Sequence, residues 1–250
     1  IELQRGDSET QVTRLAEELH RVYGAETLIR ILQAFGKDTF IRDSYNWRNT
    51  KRGVLSSLLH ACYPSPDDDS DTLKSLAGQV DISHIRLVEA AMFAPQWLEL
   101  TEKATGWKGL ESAAYYFHAH TSECFDDKKK AIIARYTPIA IEDLQEGAFD
   151  IDWFKEAYKT IGKERFEVVY NAAKYISLSN THTRARKFAD AVNGKTKAAD
   201  AKKEIIAKRN KDLLMSYGLI PLGRKADKEL LERYQFLQKF LKESKEFGAQ

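Results

Sequence analysis

Along most of this 250-residue chain the apolar residues recur at spacings of three and four, and no two alternating runs are joined by a hairpin turn. That periodicity points to an all-α fold, because a strand buries every second residue whereas a helix buries every third or fourth. In "DSETQVTRLAEELHRVYG" the repeating set is Val12, Leu15, Leu19 and Val22, with Asp7 or Ser8 as N-cap and Gly24 as stop. Similar segments follow at 26–35, 51–63, 71–80 and 83–93. Pro95 opens the next helix and Gly106 ends it. Further segments run over 109–121, 127–136, 151–161, 163–177, 181–192, 198–209 and 225–247. The expectation is an irregular α-solenoid or a helical bundle of about twelve helices, joined by short connections rich in glycine and proline.

The chain reads as a single all-α module over 1–250, a fragment of a longer protein, since it starts at Ile1 and its last periodic segment has no stop signal. Its charge is divided unevenly. Residues 181–250 hold 17 Lys and Arg against 9 Asp and Glu, a local +8, while residues 1–180 hold 22 against 28, a local −6. An acidic sub-region 1–180 and a basic sub-region 181–250 are therefore distinguished. No run approaches the roughly 18 apolar residues of a membrane helix, and Cys62 and Cys124 are too few for a disulfide framework. The expectation is a cytoplasmic protein with free thiols and no membrane partner.

The segment "YYFHAHTSEC" places His118, His120 and Cys124 close together in sequence. On a helix, residues two apart point to opposite faces, so the histidines do not converge. His120 and Cys124 can share a face, but two ligands leave the tetrahedral shell of zinc incomplete. The reading is no metal, with these three residues as the candidates to watch. The run "DDDSDTLKSLAG" starts like a calcium loop but has Thr72 where the turn needs glycine and Gly78 where a bidentate glutamate belongs. It reads as a solvated acidic turn with Asp71 capping the next helix. Phosphate-binding glycine loops, nucleophile elbows and zinc-protease helices are absent, so no catalytic residue and no cofactor is assigned.

In "SNTHTRARKFADAVNGK", Ser179, Asn180 or Thr181 can cap a helix whose first turns carry His182, Arg184, Arg186 and Lys187. Cations oppose the partial positive charge of a helix N-terminus, by roughly 0.3–1 kcal/mol each, so an anionic partner is suggested. That partner is either a phosphate or a carboxylate of the acidic stretch 142–156, if the cations are not simply solvated. Basic residues continue through Lys208, Arg209 and Lys211, which keeps an RNA or DNA backbone in view.

Four stretches, "AAMFAPQWLELTEKATGWKGLESAAYYFHAHTSE", "NAAKYISLSNTHTRARKFADAVNGK", "KRNKDLLMSYGLIPLG" and "LLERYQFLQKFLKESKEFGAQ", carry a family likeness. Over residues 83–250 the chain resembles the MolR-like and YehI-like large bacterial proteins that contain the domain of unknown function 4132. The resemblance implies a helical piece of a much longer protein, some relatives of which carry an N-terminal WGR module. The family pattern matches Phe117–Thr121 and His182–Lys187, excludes Cys124 and assigns no role to any of them. The resulting expectation is a non-catalytic helical interaction or scaffolding module, whose partners are other domains of its parent protein or a separate protein. The alternatives are a nucleic-acid-binding module using helices 181–211, or an enzyme acting on a phosphorylated or nucleotide substrate.

Overall fold

In the computed structural model, which describes residues 1–42, 49–121, 125–177 and 181–245, the chain is all-α. The described residues form fifteen α-helices and two strands of two residues each. They make two compact units, Ile1–His182 and Thr183 onward, a division two residues from the change in the sign of the charge.

The first unit contains α1 (Thr13–Glu17), α2 (Ala25–Phe35), α3 (Lys51–His60), α4 (Ser70–Gln79), α5 (His84–Phe93) and α6 (Leu98–Thr105). It continues with α7 (Leu110–Ala119), α8 (Asp127–Ile133), α9 (Ile141–Glu146), α10 (Ile151–Ile161) and α11 (Lys163–Ala172). Neighbours in sequence pack together, as α2 does with α3 and α6 with α7, but α5 also packs on α11, six helices later. The unit is therefore more than a stack of nearest neighbours. Its core is aromatic. Tyr116 meets Phe117, Phe149, Phe154 and Trp153 in edge-to-face contacts, and buried Trp97 donates its indole N–H to the Cys62 carbonyl at 2.7 Å. The aromatic segment from Phe93 to Phe117 is thus packing material.

Several helix ends fall where capping chemistry places them. Ser83 accepts from the Arg86 amide at 3.2 Å, and Gly106 ends α6 in the left-handed region. The acidic turn uses a different residue from the one expected: Asp69, not Asp71, caps α4 by accepting from the Thr72 amide at 2.7 Å. Its neighbour Asp68 accepts from the first amide of α2, Ala25 N–H, at 2.9 Å. A carboxylate at that end complements the helix dipole.

The first helix departs most from its sequence pattern. It is only Thr13–Glu17, and Leu15 and Leu19 are exposed while Thr13 and Ala16 are buried. The cause is a buried polar cluster. Arg5 pairs with Glu2 at 2.8 Å, and the Thr13 hydroxyl donates to Glu2 at 3.0 Å while accepting from Arg5 at 3.1 Å. Satisfying a buried ion pair turns the polar Thr13 inward, against its hydropathy. Similarly, α3 ends at His60 rather than Tyr63, because Cys62 and Tyr63 pair in parallel with Val22 and Tyr23.

The second unit holds most of α12 (His182–Val192), together with α13 (Ala198–Lys208), α14 (Lys211–Leu219) and α15 (Ala226–Ser244). Ala191, Ala201, Ile205, Tyr217, Ile220, Phe236 and Phe240 form its core. No helix among the described residues is long and apolar enough to cross a membrane.

Candidate functional site

The basic residues are distributed over three helices of the second unit, and several already have partners. Arg184, in the first turn of α12, pairs with Asp212 in the first turn of α14, Nε to Oδ1 at 2.7 Å. Arg184 thus has a carboxylate partner within its own unit, on α14. Asp212 suits its own position as well, at a helix N-terminus. In the first unit, Asp150 of the acidic stretch 142–156 caps α10 and accepts from the Thr137 hydroxyl at 2.6 Å, and Glu142 reaches Lys130 at 3.5 Å.

His182 is buried, with Nδ1 3.4 Å from the Ser177 hydroxyl. Ser179 and Asn180, two of the proposed caps, lie outside the described residues. Arg186 and Lys187 are half-buried. Lys208 pairs with Glu204 at 2.7 Å, and that bond, with the nearby Lys187 charge, holds the Glu204 carboxyl below its ordinary range. Lys187, Asp190, Glu204 and Lys208 line one pocket of about 320 Å³. Two cations and two carboxylates there offset each other. Lys211 is exposed.

Arg209 has another task. It ends α13 in the left-handed region (φ 45°), donates to the Ser244 hydroxyl at 3.1 Å and stacks its guanidinium 4.6 Å from the Phe240 ring centre. Lys202, two turns earlier on α13, lies 5.0 Å from the Phe236 ring. These contacts join α13 to α15 and line a groove of about 440 Å³ with Ile206 and Lys239. Cations over phenyl faces add roughly 0.5–1 kcal/mol each at exposed sites.

Helix α15 presents two faces. Phe236, Phe240 and Arg233 turn inward, where Arg233 donates to the carbonyls of Tyr217, Ile220 and Pro221 and pairs with Glu229. On another side lie Leu230 (57% exposed), Leu231 (56%), Tyr234 (59%) and Leu241 (53%). Leu237, half-buried and packed against the unit's own core, borders this side, so that residues 230, 234, 237 and 241 repeat at four, three and four, the spacing of a helix-pairing seam. A four-residue apolar row on nineteen helical residues is more than scattered surface leucines.

The histidine pair does not form a ligand set. His118 is fully buried on α7 against Tyr115, and neither ring nitrogen has a hydrogen-bond partner among the described residues. Burial, then the charges of Lys129 and Arg42, hold its pKa well below the ordinary range. His120 lies against Tyr116 and Phe149, with Nδ1 2.8 Å from the Tyr116 carbonyl and Nε2 3.2 Å from the Ala148 carbonyl. Both nitrogens of His120 thus face backbone acceptors. Cys124 lies outside the described residues. Cys62 is buried and its thiol is pushed up to about 12, chiefly by burial and then by Asp68, so it is far from the thiolate that metals bind. No cluster of three or more His, Cys, Asp or Glu suited to a metal occurs among the described residues.

Sequence reasoning missed α14, and with it the carboxylate that answers Arg184. The signal was available: Asn210 precedes the apolar "LLM" run and caps the helix by accepting from the Leu213 amide at 3.1 Å. The α13–α15 groove had no comparable signal, because it depends on two helices meeting.

Fold and surface together define an all-α protein with an exposed apolar row on α15. The chain belongs to a family of unknown function, DUF5724, whose model matches residues 1–250. No curated protein and no solved structure matches it.

Proposed function

We propose that this chain is a non-catalytic helical interaction module that docks a helix of a polypeptide partner on α15. The observation supporting this reading is the row Leu230, Tyr234 and Leu241, more than half exposed on a helix whose opposite side already contributes Phe236 and Phe240 to a core. Covering such a row contributes roughly 25 cal/mol per Å² of apolar surface removed from water. The resemblance to the MolR-like and YehI-like proteins extends the reading to a scaffold inside a large bacterial protein of the cytoplasm, serving its other domains or a separate protein. A nucleic-acid partner on helices 181–211 has less support, since Arg184 and Lys208 hold carboxylates of their own unit.

The test is a photo-crosslinking amino acid at Tyr234, activated in cells producing the protein. The expected result is a covalent polypeptide adduct that disappears when Leu230 and Leu241 are replaced by aspartate. Absence of any adduct at 234, with the crosslinker shown to be incorporated, would refute the docking role of α15.

A further inference from the structure

We infer that the occupant of the α15 seam is α15 of a second copy of this chain, packed antiparallel. The argument is one of self-complementarity. Counting at 100° per residue, Leu230, Tyr234, Leu237 and Leu241 centre on one line of the helix, and exposed Asp227 and Lys245 flank that line on the same side, at opposite ends. A two-fold axis between residues 235 and 236 sets Leu230 against Leu241 of the second copy, and Tyr234 against its Leu237. The same operation brings Asp227 beside Lys245 of the other copy, twice. Their axial offset is one residue, about 1.5 Å, well within the reach of a lysine side chain.

Parallel pairing has no such match. It keeps Asp227 and Lys245 at opposite ends of the seam, so neither charge meets its complement. The seam is two heptads long, so the dimer is weak, and its mass depends on protein concentration.

The inference rests on the reading of α15 as a docking face, and the experiment separates the two. Sedimentation equilibrium of the 250-residue chain across a broad concentration range is expected to show a reversible rise from 28.6 kDa toward twice that mass. Tyr234→Lys, at an exposed position, leaves the helical circular dichroism intact and holds the chain at monomer mass. Asp227→Lys turns both end pairs repulsive and weakens association by about 5- to 10-fold. The double change Asp227→Lys/Lys245→Asp restores the pairs in exchanged order and returns the dissociation constant to within about twofold of the original. That recovery is the signature of antiparallel pairing.

A chain monomeric at every concentration overturns self-docking, as does a dimer indifferent to Tyr234→Lys or one that the double change fails to restore. A monomeric chain whose residue 234 crosslinks to a different polypeptide overturns self-docking while leaving α15 a docking face. A monomeric chain with no crosslink overturns both.

Discussion

Acidification should destabilise the first unit, and His118 should supply a defined share of the loss. Its imidazole is fully buried on α7, and its ring nitrogens have no hydrogen-bond partner among the described residues. Burial, then Lys129 and Arg42, keep it neutral well below the ordinary value of 6.5. In the unfolded chain the same ring takes up a proton near 6.5, so below that pH the unfolded state binds more protons and stability falls. While folded His118 stays neutral, the loss is RT ln(1 + 10^(6.5−pH)), or about 1.4 kcal/mol at pH 5.5 and about 2 kcal/mol at pH 5.0. Trp97, Trp107 and Trp153 lie in the first unit and residues 183–250 contain no tryptophan, so urea unfolding followed by tryptophan fluorescence does not report on the second unit. His118→Leu conserves much of the volume and removes the titrating group together with two unsatisfied nitrogens. Its stability at pH 7.5 should match or exceed that of the original protein, and the difference should widen by the amounts above as pH falls. Parallel stability curves for the two proteins from pH 7.5 to 5.0 would refute the reasoning.

Other substitutions test the packing. Gly109, at the start of α7, has φ +86°, and a Cβ there would lie 2.8 Å from the Thr160 methyl carbon. Gly109→Ala should cost about 2–4 kcal/mol, from left-handed strain plus the clash, measured by the same fluorescence titration. Gly106→Ala meets no neighbour within 4 Å at φ +67° and should cost only about 1 kcal/mol, so equal losses would argue against the close approach of Thr160. In the second unit, Arg233→Leu strips donors from three carbonyls at the end of α14 and should destabilise that unit by about 2–4 kcal/mol. Hydrogen exchange at α14 and α15 amides reads this directly, and a change below about 1 kcal/mol would mean that the Arg233 contacts are not needed to hold the helices together.

Where local chemistry decides the outcome, the chain could be read without its structure. Segment 151–161 matches α10 end to end because Asp150 caps it and Gly162 stops it, and both signals lie within a turn of the helix. Ser83, Gly36 and Gly106 are legible for the same reason. Reading failed where a distant group set the local choice. The face of α1 follows Glu2 and Arg5, and the early end of α3 follows Val22 and Tyr23, some forty residues away. Hydropathy periodicity has no means of representing either.

The candidate site divides along the same line. The apolar seam of α15 and its end charges are a property of one helix, so Leu230, Leu231, Tyr234, Leu237 and Leu241 are visible as a row in the sequence. Which of two apolar rows faces water is a different matter. Phe236 and Phe240 turn inward because Ile205, Tyr217 and Ile220 meet them from α13, α14 and the residue after it, while Arg233 finds carbonyls there. Likewise, Arg184 is basic in any conformation, but only the approach of α14 gives it Asp212. The sequence by itself determined the helices, the charge asymmetry and the composition of each face. Tertiary structure decided which faces are covered and which charges are neutralised, because burial and ion pairing are contacts between residues that no local spacing brings together.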